Sequence, residues 1–309
     1  MERKKRKLNK KNVMLLGSMT YSVLITLILI VSLITRPNGC NVEKNKQSST
    51  KSDFAVHFID VGQADSILVT NGGKSMLIDA GNREDDEAIK DYLAANNVVE
   101  LEYIIGTHAH EDHIGGMASV MQAVPTKVMM LPDKTATTKT YINLLETIEQ
   151  LQLEITVPKV GEVYQLGDDS FQILWPESGE KDTNNSSIVI RYVHIDENGK
   201  ETSFMFTGDV ESDAESKILA LENEVSADVL KVGHHGSSTS TSSAWLKAIA
   251  PKVAVISCGD GNDYGHPHDE IVKLLEDSEI DIYRTDTMGS IVVTVLDGKV
   301  LVNKEYAGK

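Results

Sequence analysis

The chain has 309 residues and a formal net charge of −16, from 30 Lys and Arg against 46 Asp and Glu. With 41% hydrophobic and 25% charged residues it has the make-up of a folded protein, not of a disordered or fibrous one. The acidic balance argues against a broad basic nucleic-acid surface, and two cysteines, Cys40 and Cys258, exclude a disulfide scaffold and are both expected to be free.

Residues 1–12 form a basic segment in which Arg3, Lys4, Lys5, Arg6, Lys7, Lys10 and Lys11 face one acid, Glu2. Residues 13–34 then run 22 residues without a charge, long enough to cross a bilayer as a helix rising 1.5 Å per residue. The expectation is a single-pass transmembrane anchor, basic flank in the cytoplasm and the rest of the chain extracytoplasmic at the cell membrane. Secretion after signal cleavage is the alternative. Signal cores are usually shorter, about 7–15 residues, and no small-x-small cleavage site stands near Thr35. Arg36-Pro37-Asn38-Gly39 before Cys40 lacks the aliphatic residue of a lipoprotein signal. Residues 35–52, rich in Lys, Ser, Asn and Gln, read as a flexible tether.

Residues 53–309 are long enough for one large core. Short strands are predicted at Ala55–Asp60, Ser66–Thr70, Ser75–Asp79 and Leu101–Gly106, and further on at Ser203–Phe206, Val229–Val232 and Val253–Ser257. Between them Asp86–Asn96 carries Ala88, Ile89, Tyr92 and Leu93 at helical spacing, and Tyr141–Leu151 carries Ile142, Leu145 and Ile148, both read as core stripes. Alternating strands and helices predict a layered α/β domain. Ten of the thirty basic residues and two of the forty-six acids lie in the first fifty positions, so the remainder holds twenty basic against forty-four acidic residues.

Directly after the strand Leu101–Gly106 comes Thr107-His108-Ala109-His110-Glu111-Asp112-His113. Imidazoles and carboxylates are ligands for zinc, manganese and iron. In an extended segment His108 and His110 point the same way, so they can hold one ion, while Asp112 and His113, at the turn into a helix, can hold a second. Three later strands also release polar ligand types at their C-terminal ends: Thr207-Gly208-Asp209, Gly233-His234-His235-Gly236-Ser237 and Asn262-Asp263-Tyr264-Gly265-His266-Pro267-His268. This is how α/β folds build sites. His268 opens a helix and reads as a first-turn surface residue, and His57 and His194, on strands away from these motifs, read as structural.

The ordered set HxHxDH, TGD and HHG resembles the metallo-β-lactamase superfamily. Phe58-Ile59-Asp60-Val61-Gly62-Gln63-Ala64-Asp65-Ser66, Leu77-Ile78-Asp79-Ala80-Gly81, Leu230-Lys231-Val232-Gly233-His234-His235-Gly236-Ser237 and Tyr283-Arg284-Thr285-Asp286 resemble more narrowly the hydrolase domain of the ComEC competence proteins. The resemblance runs from about Phe54 to about Val302. It implies an αββα four-layer sandwich with two mixed sheets face to face and the metal site at one edge, and it implies a hydrolase with two divalent ions, zinc or manganese.

On that implication His108 and His110 hold the first metal, Asp112, His113 and one of His234 and His235 the second, and Asp209 bridges both. His235 is taken as the ligand and His234 as proton donor or phosphate contact, with His266 as another candidate acid. A water between the ions ionises near neutral pH because metal binding lowers its pKa from about 15.7 to about 7. Asp79 and Asp60 are read as acceptors from metal-bound imidazoles, against a reading as turn residues bonding their own backbone. Gln63 and Asp65 match the loop beside the metals, but Ala64 stands where the family usually has Gly, a strain if that position needs positive φ. Many members have another metal-binding histidine between HxHxDH and TGD. Here that interval ends in Thr183-Asn184-Asn185-Ser186-Ser187, whose Asn184, Asn185 and Ser186 are read as substrate contacts, and its one histidine, His194, lies too far into the next strand.

The substrate expectation is a phosphodiester, in DNA or a cell-wall polymer, cut by a monomer. A teichoic acid or phosphocholine esterase and a lactonase or β-lactamase-type hydrolase stay open on the same site, and so does a non-catalytic surface protein with a vestigial metal centre. Retention of the full donor set argues against the last.

Overall fold

A computed structural model describes residues 54–304. The basic segment, the span and the tether expected over residues 1–52, with Cys40, lie outside the described residues. Among those described, no helix is long and apolar enough to cross a membrane.

The strands are β1 (Ala55–Phe58), β2 (Ile67–Asn71), β3 (Lys74–Ile78), β4 (Leu101–Ile105), β5 (Thr126–Met130), β6 (Ile155–Thr156), β7 (Val163–Leu166) and β8 (Asp169–Trp175). They continue as β9 (Val189–Ile195), β10 (Glu201–Phe206), β11 (Val229–Lys231), β12 (Val253–Ile256), β13 (Asp281–Arg284), β14 (Ile291–Leu296) and β15 (Lys299–Lys304). One sheet has the order β15-β14-β1-β2-β3-β4-β5-β6 and the other β13-β12-β11-β10-β9-β8-β7. The helices are α1 (Asp86–Ala95), α2 (Glu111–Ile114), α3 (Met117–Ala123), α4 (Lys139–Gln150), α5 (Ser212–Ala220), α6 (Ser243–Ile249), α7 (Asp269–Asp277) and α8 (Thr285–Met288).

Alternation along the strands sorts side chains into layers. Val56, Phe58, Ile67, Val69, Met76 and Ile78 of the first sheet meet Phe171, Tyr192, Phe204, Phe206, Val229 and Val255 of the second in one buried cluster. Their neighbours Leu68 and Leu77 point outward onto Ile89 and Leu93 of α1, Met117 and Val120 of α3 and Leu144 and Ile148 of α4. On the far side Met205, Leu230, Ala254 and Ile256 pack on Ala214 and Ile218 of α5, Trp245 and Ile249 of α6 and Leu275 of α7. Helices thus cover both outer faces, giving αββα layering. Each fully buried aliphatic or aromatic side chain in these clusters contributes about 1.5–3 kcal/mol relative to exposure.

Two core stripes differ from expectation. In α4 the buried residues are Tyr141, Leu144, Thr147 and Ile148, and Ile142 is 46% exposed. Several apolar residues of this helix satisfy i, i+3, i+4 spacing on adjacent faces, and packing onto α3 selects the Tyr141 face. In α1 Ile89 and Leu93 are buried while Ala88 is exposed. The two histidines read as structural do have scaffold partners: the His57 ring nitrogen lies 3.0 Å from the Tyr92 hydroxyl, and His194 lies 2.8 Å from the Asp169 carboxylate. Cys258 is buried and free, and burial pushes its thiol up to about 12, which leaves it inert.

In the first sheet β3, β4, β5 and β6 are mutually parallel, and in the second β10, β11, β12 and β13 are. The C-terminal ends of β3 and β4 in one sheet and of β10, β11 and β12 in the other release the motif segments at one edge of the sandwich, where loops from both sheets meet.

Candidate metal centre

The turn after β4 brings His108 and His110 together: His108 Nε2 and His110 Nδ1 lie 3.0 Å apart. His110 is the extended residue before α2, and its C=O accepts from the N–H groups of His113 and Ile114, which starts the helix and swings Asp112 and His113 to the other side. Asp209 enters from the second sheet. Gly208 precedes it at φ +50, and a Cβ there would stand 2.9 Å from Ser187 Cβ, so only glycine lets β10 exit this close. The Asp209 N–H then donates to Ser187 Oγ at 3.0 Å.

Asp209 Oδ2 lies 3.2 Å from His113 Nε2, 3.7 Å from His235 Nε2 and 3.8 Å from both His108 Nε2 and His234 Nε2. Asp112 Oδ2 lies 3.3 Å from His235 Nε2. Asp112, His113, Asp209 and His235 present donor atoms within 4.8 Å of one another, all but Asp112 fully buried. Three of these atoms, His113 Nε2, His235 Nε2 and Asp209 Oδ1, are buried without any hydrogen-bond partner. Orphaned buried polar atoms are costly, and three of them converging with a further carboxylate fit a divalent cation by charge and ligand type. The 3.0 Å between His108 and His110 is likewise close to the spacing of two imidazoles each about 2.0–2.1 Å from one ion.

The other nitrogens of these rings are held from behind. His113 Nδ1 donates to Asp79 Oδ2 at 2.7 Å, and Asp79 is itself fixed by the Thr107 N–H at 2.8 Å and the Thr107 hydroxyl at 2.7 Å. His235 Nδ1 donates to the Ser257 carbonyl at 3.0 Å. His108 Nδ1 lies 3.2 Å from both the Thr107 and Ser187 hydroxyls. Such contacts fix the tautomer and turn the free nitrogen to the cluster. His234, His235 and Asp79 all have left-handed backbone, at φ 50, 53 and 59, strain of the kind that accumulates at functional sites.

Burial works against charge on the buried groups, and at His113 and Asp209 the opposite charges around them override it. Burial alone would depress His113, yet Asp209, Asp79 and Asp112 together hold its imidazole well above the ordinary range. Burial would raise Asp209, but His113 and His235 hold it well below the usual carboxylate range. At His108 burial dominates and, with His113, pushes the ring well below its ordinary value. The centre is built to take up positive charge.

A pocket of about 340 Å³ opens over these donors. It is lined by Asp112, Asp209, His110, His234 and His235 together with Glu111, Gln63, Tyr264 and His266. The structure separates the paired histidines: His235 is buried within the donor cluster, whereas His234 is 22% exposed, with Nδ1 3.2 Å from the Thr239 hydroxyl. His268 caps α7, and its Nδ1 accepts from the Ser238 N–H at 2.9 Å. Ala64 is buried and keeps a negative φ, so its side chain costs no strain.

Five readings are corrected. Asp60 is exposed and accepts from the Gly62 N–H at 3.2 Å, so it is a turn residue and touches no metal-facing imidazole. Asn185 is buried with its Oδ1 accepting from the Glu211 N–H at 2.9 Å, and the Ser186 hydroxyl donates to the Thr183 carbonyl at 2.6 Å. Both are committed to the scaffold, and neither they nor Asn184, whose amide lies 3.4 Å from Glu211, line the pocket. His266 is depressed to about 4, by burial and then by His235 and His234. It is neutral at pH 7 and is not the expected acid. Its Nδ1 lies 3.3 Å from Gln63 Nε2, and Gln63 Oε1 accepts from the Gly259 N–H at 3.1 Å, so Gln63 ties the two loops together.

Sequence reasoning missed Ser187, Thr107 and the partner of Lys231. Ser187 follows an asparagine-serine run and reads as part of it. Asp65, expected beside the metals, is 2.9 Å from the buried Lys231 ammonium and 3.6 Å from His235 Nδ1. The Lys231 ammonium also donates to the Val232 carbonyl at 2.9 Å.

The sequence profile of the metallo-beta-lactamase superfamily matches residues 59–260. The chain is 31% identical over 258 residues to ComE operon protein 3 of Bacillus subtilis (strain 168), a match covering 78% of this chain and 33% of that protein. It is 28% identical over 260 residues to Recombination protein 2 of Haemophilus influenzae, covering 82% of this chain and 30% of that one. The chain therefore spans about a third of the length of these relatives. Among solved structures, a metallo hydrolase from Ignicoccus hospitalis aligns over 78% of this chain and all of its own length at TM-score 0.51 and 17% identity, a likeness of fold. The match over residues 59–260 places the chain in the metallo-beta-lactamase superfamily.

Proposed function

We propose that this metallo-hydrolase cleaves phosphodiesters at a two-metal centre of zinc or manganese. Asp112, His113 and His235 would hold one ion, His108 and His110 the other, with Asp209 shared. Divalent ions bound there supply charge neutralisation at a phosphoryl oxygen and ionised water near neutral pH. The chain's own groups do the rest. Asp79, Ser257, Thr107 and Ser187 fix the imidazole tautomers, Gln63 holds the neutral His266 ring at the wall, and His234 Nε2, facing the pocket, is the position from which a proton reaches the leaving oxygen.

The observation that carries the substrate class is the pocket's charge. Its lining contains no Lys or Arg: of the cations in the motifs, Lys231 is buried and bonded to Asp65, and Arg284 is paired with Asp286. A Lys or Arg is the usual anchor for a β-lactam's carboxylate, whereas a phosphodiester can place its charge on the metals. The printed names of two relatives, Recombination protein 2 and Competence protein ComA of Neisseria gonorrhoeae, which is 26% identical over 253 residues, point the same way. Metal-reconstituted protein should hydrolyse bis-p-nitrophenyl phosphate and single-stranded DNA, lose that activity in EDTA and recover it with Mn²⁺ or Zn²⁺. With so few cations at the site, activity on DNA should also fall less steeply with salt than that of a basic nuclease. Turnover of a chromogenic cephalosporin with no phosphodiester cleavage in any metal form would overturn the assignment.

Residues 13–34 are proposed to anchor the enzyme in the cell membrane with the catalytic domain outside, a reading that rests on the basic flank and the uncharged run. Protease added to intact cells should digest the domain and spare residues 1–12. A domain that stays intact under that treatment, or a mature chain released to the medium, would contradict it.

A further inference from the structure

Among the described residues the large apolar side chains that stand exposed include a single aromatic ring, Tyr264, at 69% exposure. Isolated exposed apolar residues need no explanation, but this one lines the pocket above the metal-binding side chains. Its ring stacks on His266, centroids 5.6 Å apart and planes 22° apart, and His266 in turn stacks toward His235 at 6.4 Å and 23°. At that exposure the ring is largely uncovered apart from its contact with His266, and it is among the residues that line the pocket.

The loop that carries it is held in place. Asn262 Oδ1 accepts from the N–H groups of Tyr264 at 3.2 Å and His266 at 3.0 Å, and Asn262 Nδ2 donates to the carbonyls of Gly259 at 2.9 Å and His266 at 2.6 Å. One side chain thus satisfies four backbone groups, and Gln63 braces the same loop through Gly259 and His266. A fixed aromatic loses little freedom on binding a flat ligand. Asp260 and Asp263, both exposed on this loop, repel a phosphate run lying along it, which leaves a neutral flat face as the group the loop can hold.

We propose that Tyr264, backed by His266, is a stacking platform for one nucleobase of the substrate, next to the phosphodiester that faces the metals. The proposal rests on the phosphodiesterase reading and narrows it to nucleic acid over base-free polymers such as teichoic acid. Aromatic stacking is sequence-tolerant, because every base has a π-face, and no base preference follows from it.

The test is binding to the manganese-loaded 309-residue chain by titration calorimetry, with a hydrolysis-resistant phosphorothioate pentathymidylate and its counterpart lacking all bases. The wild type should bind the base-bearing strand about ten-fold more tightly, the scale of one base–aromatic stack. Tyr264→Ala should erase that factor while leaving the affinity for the base-free strand and the bound manganese unchanged, and Tyr264→Phe should keep it. Equal affinity of the two strands for the wild type, or a Tyr264→Ala variant that weakens both strands alike, would overturn the proposal. Because the readout is binding, failure of the hydrolase reading would show separately, as absent turnover with the base preference intact.

Discussion

Asp209→Ala is expected to abolish hydrolysis and to strip metal from the protein more completely than Asp112→Ala. Asp209 Oδ2 is within 3.8 Å of Nε2 of His108 on one side and of His113 and His235 on the other, so it stands between the two proposed ion positions. Asp112 lies beside His113 and His235 alone, at 3.9 and 3.3 Å. Loss of Asp209 also leaves the raised His113 and His235 imidazoles in a buried site without their main counter-charge. Removing a single donor from a transition-state site costs about 10²–10³ in rate, so loss of a shared ligand should exceed that. Elemental analysis decides the point: equal metal content in the Asp209→Ala and Asp112→Ala proteins would show that Asp209 is not shared.

Lys231→Met should lower the melting temperature by on the order of 10 °C. The Lys231 ammonium is 0% exposed and its partner Asp65 is 1% exposed, at 2.9 Å. Methionine fills much of the lysine stem's volume, so the loss is chiefly electrostatic: a carboxylate left buried without its cation. Breaking a buried pair from one side costs about 3–5 kcal/mol, and a domain of this size loses about 2–4 °C per kcal/mol. Lys231→Met with Asp65→Leu removes both charges and should recover most of the stability. Asp65 Oδ1 has no hydrogen-bond partner and stands 3.6 Å from His235 Nδ1, so the double variant should still bind metal less tightly. A Lys231→Met protein melting within about 2 °C of wild type would mean that Asp65 is not carried as a charge.

The parts of this molecule that the sequence displays are those whose determinants lie close together in the chain. HAHEDH is a strand end, a turn and a helix start in succession, so the directions of His108, His110, Asp112 and His113 follow from local geometry. The strands bearing Val56, Phe204 and Val229 read as short apolar runs, buried on both faces, and lie within two residues of their predicted bounds. What was not legible depends on distant partners. Asn185 and Ser186 look like free polar residues at a site, but Glu211, 26 residues on, and Thr183 consume their hydrogen bonds. Ser187 gains its role only because β10 and the turn after β4 meet it in space, and Lys231 finds Asp65 across 166 positions and two sheets. Ile142 shows the limit within one helix, where spacing reveals a ridge and packing chooses the side.

The most direct test of a metal centre at this edge of the sandwich is anomalous diffraction from crystals grown with Mn²⁺. The account predicts two anomalous peaks flanking Asp209, one among Asp112, His113 and His235 and the other against His108 and His110. Crystals of active protein with no peak at either position would contradict it.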